Sequence, residues 1–191
     1  MFIQTESTPN PRTLKFLPGR DVLGVGSREF TDADAALASP LAHALFLIEG
    51  VERVYLGGDF VTVMKAEGVE WPHLKPHVLA AIMDHFVSGR AMLAEGDLTD
   101  DVDEGAHVYE GEAADIVKEI KAVIESRVRP AVARDGGDII FHSWDQTNGV
   151  VKLSMRGSCA GCPSSTLTLK QGIENMLKHY VPEVTSVEQV M

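Results

Sequence analysis

The feature that most constrains this chain is a break in its charge pattern. Between Arg90 and Lys118 there is no lysine or arginine, while Glu95, Asp97, Asp100, Asp101, Asp103, Glu104, Glu110 and Glu112 gather among Gly and Ala. Such a stretch gains little by burial and repels itself, and Leu93, Leu98 and Val102 do not recur at a helical period. It reads as a linker, residues 91–111, between one domain at 1–90 and another at 112–191. With 191 residues and 45% hydrophobic content, the chain has material for two small cores.

Both halves repeat one order of elements. In the first, two short extended segments, Phe2 to Thr5 and Thr13 to Leu17, flank the turn-forming Thr8-Pro9-Asn10-Pro11. Ser39-Pro40 then sets an N-cap and a first helical position, with Leu41, Leu45 and Ile48 on one face until Gly50. A hairpin of Val51 to Leu56 and Phe60 to Met64 turns at Gly57-Gly58-Asp59. A second helix opens at Trp71-Pro72, aligns Leu74, Val78, Ile82 and Phe86, and ends near Gly89.

In the second half, Ile116, Val117, Ile120, Val123, Ile124 and Val128 mark an amphipathic helix that Pro130 should kink or end before Asp135-Gly136-Gly137-Asp138 turns the chain. Strands at Ile139 to Trp144 and Val150 to Arg156 flank Gln146-Thr147-Asn148-Gly149. Pro163 starts a helix with Leu169, Ile173, Met176, Leu177 and Tyr180 inward, Pro182 closes it, and Val184 to Val190 adds a strand. The fold class expected is α+β: two small two-layer α/β domains, the C-terminal one in α-β-β-α-β order. The common helix, hairpin, helix order suggests that the halves are structural echoes, an idea that different strand orders would end.

Lys+Arg 17 against Asp+Glu 28 gives a formal net charge of -11, which repels phosphate backbones and argues against nucleic acid as a partner. No apolar run reaches signal-peptide length or the roughly 20 residues of a membrane span, so a soluble chain is expected, with no membrane partner. Gly19, Gly24 and Gly26 do not form a phosphate loop, and Trp71 and Trp144 read as packing anchors.

Both cysteines of the chain, Cys159 and Cys162, lie in Gly157-Ser158-Cys159-Ala160-Gly161-Cys162-Pro163-Ser164-Ser165. One CxxC is too little for a disulfide scaffold and points to a reducing compartment. With a helix starting at Pro163, Cys162 is its N-cap and Cys159 lies one turn back, where the helix dipole favours thiolate. Thiolates coordinate metal or attack disulfides, yet zinc or an iron-sulfur cluster normally takes four protein ligands. His142 and His179 share the domain but lack ligand spacing to the CxxC, and the one HxxxH, His73 and His77, lies across the linker. A second copy of the chain would supply two further thiolates on a twofold axis. A thioredoxin-type dithiol needs no second subunit, but no βαβ unit precedes the motif. Cluster, zinc, dithiol and inert readings all stay open on the residues alone.

Taken together, Arg129-Pro130, Asp135-Gly136-Gly137-Asp138-Ile139, the CxxC segment and Thr168-Leu169-Lys170 resemble the C-terminal domain of NifU and of the Nfu iron-sulfur proteins. Met1-Phe2-Ile3-Gln4-Thr5-Glu6, Thr8-Pro9-Asn10-Pro11, Ser39-Pro40-Leu41-Ala42, Gly58-Asp59-Phe60 and Trp71 resemble the N-terminal domain that accompanies it in Nfu proteins. The resemblance implies a scaffold or carrier, not an enzyme, that binds an iron-sulfur cluster between two subunits and passes it to apo-proteins. It favours [4Fe-4S], with [2Fe-2S] possible, and names Cys159 and Cys162 as ligands. It implies as partners a second copy of the chain, recipient apo iron-sulfur proteins and upstream cluster-assembly proteins. Gly136 and Gly137 are assigned to the backbone turn with no chemistry, and Arg156 is a candidate contact to an anionic cluster. The expected location is a bacterial cytoplasm, or the mitochondrial matrix for a processed eukaryotic chain.

Overall fold

The computed structural model describes residues 1–94, 108–160 and 163–190, with backbone only for 163–166. Most of the expected linker therefore lies outside the described residues. The chain forms two compact units, Met1–Asp101 and Val102–Met191.

In the first unit, β1 (Gln4–Ser7), β2 (Thr13–Leu17), β3 (Arg28–Phe30), β4 (Val51–Leu56) and β5 (Val61–Lys65) form one antiparallel sheet in the order β1-β2-β5-β4-β3. Helices α1 (Pro40–Phe46) and α2 (Trp71–Ser88) cover one face. The strand alternation decides what they cover: Phe16, Val54, Leu56, Val61 and Val63 meet Leu41 and Leu45 of α1 and Leu74, Val78 and Ile82 of α2 in one core. Ser39 caps α1 as expected, its hydroxyl accepting from the Ala42 amide at 3.2 Å. Gly89, at φ 66, ends α2 in the left-handed conformation expected of a helix-terminating glycine.

Several expectations shift. β1 starts two residues later than Phe2, which is 85% exposed. α1 stops at Phe46, and the chain reaches Val51 through turns that place Gly50 at φ 98. Phe60 closes the hairpin turn, its carbonyl accepting from the Gly57 amide at 2.9 Å, so β5 begins one residue on. β3 and a 3-10 turn at Ala35–Ala38 leave no mark in the sequence pattern. A three-residue edge strand and a four-residue alanine-rich turn are too short to show a period.

The second unit runs α3 (Glu112–Val123), a π-helical turn (Ile124–Val128), α4 (Arg129–Arg134), β6 (Gly137–Asp145), β7 (Val150–Gly157), α5 (Pro163–Tyr180) and β8 (Ser186–Val190). This realises the expected α-β-β-α-β order. Pro130 does not end the first helix, which continues through the π turn to Arg134. β6 and β7 are antiparallel with a bulge between Phe141 and Ser143, whereas β8 joins the far side of β7 in parallel. A parallel return requires a crossover, and α5 supplies it. Ile120, Ile124, Val128, Ile139, Leu153, Ile173, Leu177 and Val187 are buried in one core. Tyr180, expected inward, is 43% exposed and has the Arg127 guanidinium 4.8 Å from its ring.

The two sheets end the idea of structural echoes. One has five strands, all antiparallel, and the other has three with a parallel pair. In the first unit β5 is flanked by β2 from the N-terminal ribbon, while in the second the strand beside β7 arrives after the helix. No helix among the described residues is long and apolar enough to cross a membrane.

Candidate functional site

The site is built where the α4–β6 turn meets the end of β7. Gly136 adopts φ 79, the conformation for which a glycine was expected, and Gly157 adopts φ 66 at the last position of β7. These turns bring Gly137 opposite Gly157 in the ladder, with Asp138 opposite Arg156. The Ser158 amide donates to the Gly136 carbonyl at 3.1 Å, and its hydroxyl donates to the Asp135 carbonyl. The Ala160 amide then turns back onto the Gly157 carbonyl at 3.1 Å. The segment carrying Cys159 is thus tied to the chain on the other side of the hairpin.

Cys159 is 5% exposed and belongs to the core of the second unit. Its Sγ lies 3.9 Å from the Ser158 hydroxyl. Cys162 lies outside the described residues, as does the expectation that it caps α5. Arg156 is half-buried on the strand row opposite Asp138.

Asp138 was read only as part of a turn, but it anchors the site. The residue is 4% exposed, and its carboxylate is met by Arg129 through both Nε and Nη2 at 2.8 Å, while the Ile139 amide donates to Oδ1 at 2.8 Å. Arg129 also reaches Glu125 at 2.6 Å. The hydrogen bonds that Arg129 donates to Asp138 raise the guanidinium pKa above its ordinary value, against the opposing effect of burial. The Arg-Pro and Asp-Gly-Gly-Asp motifs were visible in sequence, but nothing there paired them.

The histidines do not join the cysteine. His142 sits in the β6 bulge with Nδ1 3.1 Å from the Ser143 hydroxyl, and His179 packs edge-on to Tyr180 at 5.0 Å between centroids. His73 and His77 line a groove of about 450 Å³ on the first unit with Glu49, Leu47, Ile48, Val69 and Leu74. Among the described residues, no three His, Cys, Asp or Glu side chains are placed to hold a metal ion.

Two family models match the chain: "Scaffold protein Nfu/NifU N terminal" over residues 3–89 and "NifU-like domain" over residues 120–188. It is 49% identical over 189 residues to "NifU-like protein 5, mitochondrial" of Arabidopsis thaliana, covering 99% of this chain and 68% of that one. It is 52% identical over 191 residues to "NFU1 iron-sulfur cluster scaffold homolog, mitochondrial" of Drosophila willistoni, covering 100% and 64%. The chain thus spans about two thirds of the length of these curated relatives. Among solved structures, the solution NMR structure of a NifU-like protein from Saccharomyces cerevisiae is 31% identical, covers 50% of this chain and 86% of that one, and has a TM-score of 0.45.

Proposed function

Because this chain belongs to the Nfu/NifU iron-sulfur scaffold family, we propose that it carries an iron-sulfur cluster between two subunits, held by Cys159 and Cys162 of each, and transfers it to apo-proteins. The observation that carries this reading is the location of Cys159. Within the NifU-like match, it sits at a junction between strand and helix that is braced from both sides of the hairpin.

Two sulfurs per chain are half of what a cluster takes, so a symmetric pair of chains supplies the four thiolates. The cluster is cargo. Release is ligand exchange: a recipient thiol approaches iron, an Fe–S bond to the new sulfur forms as one to Cys159 or Cys162 breaks, and the recipient's proton passes to the departing thiolate. Electrons stay where they were and no carbon bond is made, so the role is that of a scaffold and not an enzyme. The four-thiolate set suits [4Fe-4S], the favoured cargo, as well as [2Fe-2S].

In this reading residues 1–90 serve recognition of recipient apo-proteins or upstream assembly proteins, and the acidic stretch 91–111 tethers them to the cluster domain at 112–191. The mitochondrial names of the relatives support the matrix as its location.

Anaerobic reconstitution with iron and sulfide, read as iron, acid-labile sulfide and native mass together, tests the proposal. The expected result is about four irons per dimer, lost in Cys159→Ser and in Cys162→Ser. A monomer that takes up no iron but reduces disulfides would replace the carrier by a dithiol oxidoreductase.

A further inference from the structure

Gly137 is a glycine for a reason its backbone does not supply. Its φ is not among the positive values that mark ten other glycines among the described residues, and it opens β6 in the terminal pair of the β6–β7 ladder, opposite Gly157, a strand position that a residue with a side chain would ordinarily fill. The reason is steric and points at one atom. A Cβ built on Gly137 would lie 2.5 Å from the Cys159 Sγ, 3.2 Å from the Cys159 Cβ and 2.9 Å from the Arg156 carbonyl oxygen. The space that a methyl group would take is occupied by the thiol.

We propose that Gly137 is the positioning residue for Cys159: its missing side chain is the niche that seats the Sγ against the β6–β7 ladder. Three features of the structure converge there. The thiol is 5% exposed although it lies on a turn. Ser158 pins that turn to Asp135 and Gly136, the two residues preceding Gly137, through its hydroxyl and its amide. Asp138, the next residue, is fixed by the Arg129 fork at 2.8 Å, so the floor of the niche cannot recede to admit a larger residue.

The functional meaning of the niche rests on the reading of Cys159 as a cluster ligand. A seated sulfur offers iron one direction of approach, and it spares the apo protein an exposed thiol, since a buried thiol reacts with reagents only when its segment opens.

The test is made on the apo 191-residue chain in a Cys162→Ser background, where Cys159 is the one thiol left of the two cysteines in that sequence. Iodoacetamide alkylation is followed by mass, with and without Gly137→Ala. The substitution should speed alkylation about tenfold, because an overpacked niche shifts the turn toward its open form. In a urea cycle, Gly137→Ala should cost less stability in a Cys159→Ala background than beside the native cysteine, because the closest clash has gone. Should Gly137→Ala fail to fold alone, folding of the Gly137→Ala, Cys159→Ala double variant would carry the same support.

Alkylation within about twofold of the parent together with equal destabilisation in both backgrounds would overturn the proposal, leaving Gly137 a matter of strand pairing. Failure of the double variant to fold would overturn it too, placing the clash at the Arg156 backbone. Iron uptake by the unaltered chain is scored separately, so that loss of the carrier reading and loss of the niche can be told apart.

Discussion

A buried carboxylate survives at Asp138 because Arg129 meets it with a planar fork and a backbone amide takes a further lone pair. Removing the guanidinium takes both fork hydrogen bonds away from a buried charge. Arg129→Ala is expected to destabilise the second unit by about 3 kcal/mol or more, measured by urea unfolding. Arg129→Lys should recover only part of that, since an ammonium is a point charge and cannot engage both oxygens side by side. At this scale the sequence was partly legible. Cys159 and Cys162 stood out because no other cysteine competes with them, whereas Arg129 and Asp138 did not, because a helix end and a left-handed glycine separate them in the chain. Gly137 was read as turn chemistry. Its true constraint is a contact with a residue 22 positions later, which no local pattern records.

Elements were legible where a period had room to repeat. The alternation of Val151, Leu153 and Met155 predicted the buried face of β7, and Pro163 predicted the start of α5. The helix before β6 shows how the chain passes Pro130 without ending. Ile120, Ile124, Val128 and Val132 are all buried, a spacing of four repeated without interruption. In a straight α-helix each such step drifts about 40° around the axis, and the stripe would leave the core. The wider π turn at Ile124–Val128 takes back that drift and carries the chain past Pro130, whose missing N–H would otherwise cost a bond. Periodicity alone marks the stripe but not the change of pitch that keeps it in register. In the first unit a single cap can be tested: Ser39→Ala removes the acceptor for the Ala42 amide and should cost about 1 kcal/mol, read as a lower urea midpoint for that unit.

At the scale of the whole molecule, the two hydrophobic cores have no residue in common among the described residues. Each unit is expected to melt in its own transition by calorimetry. pH should separate them. His85, on α2 in the first unit, is 2% exposed, and neither ring nitrogen has a hydrogen-bond partner among the described residues. Burial lowers its pKa and Arg90 adds to this, with Asp84 opposing. The unfolded chain then binds a proton near the ordinary value of about 6.5 while the folded one resists, so stability falls as pH drops through that region. Moving from about pH 7.5 to 5.5 should lower the melting temperature of the first unit, and His85→Leu should flatten that dependence without altering the second transition. An unchanged slope in the variant would assign the acid sensitivity to other groups. The separation of the cores also bears on how such a chain can change over generations. A damaging substitution beneath α2 is compensated most directly by partners within the same core, so the ancestry of the two halves should record two separate histories of paired replacements.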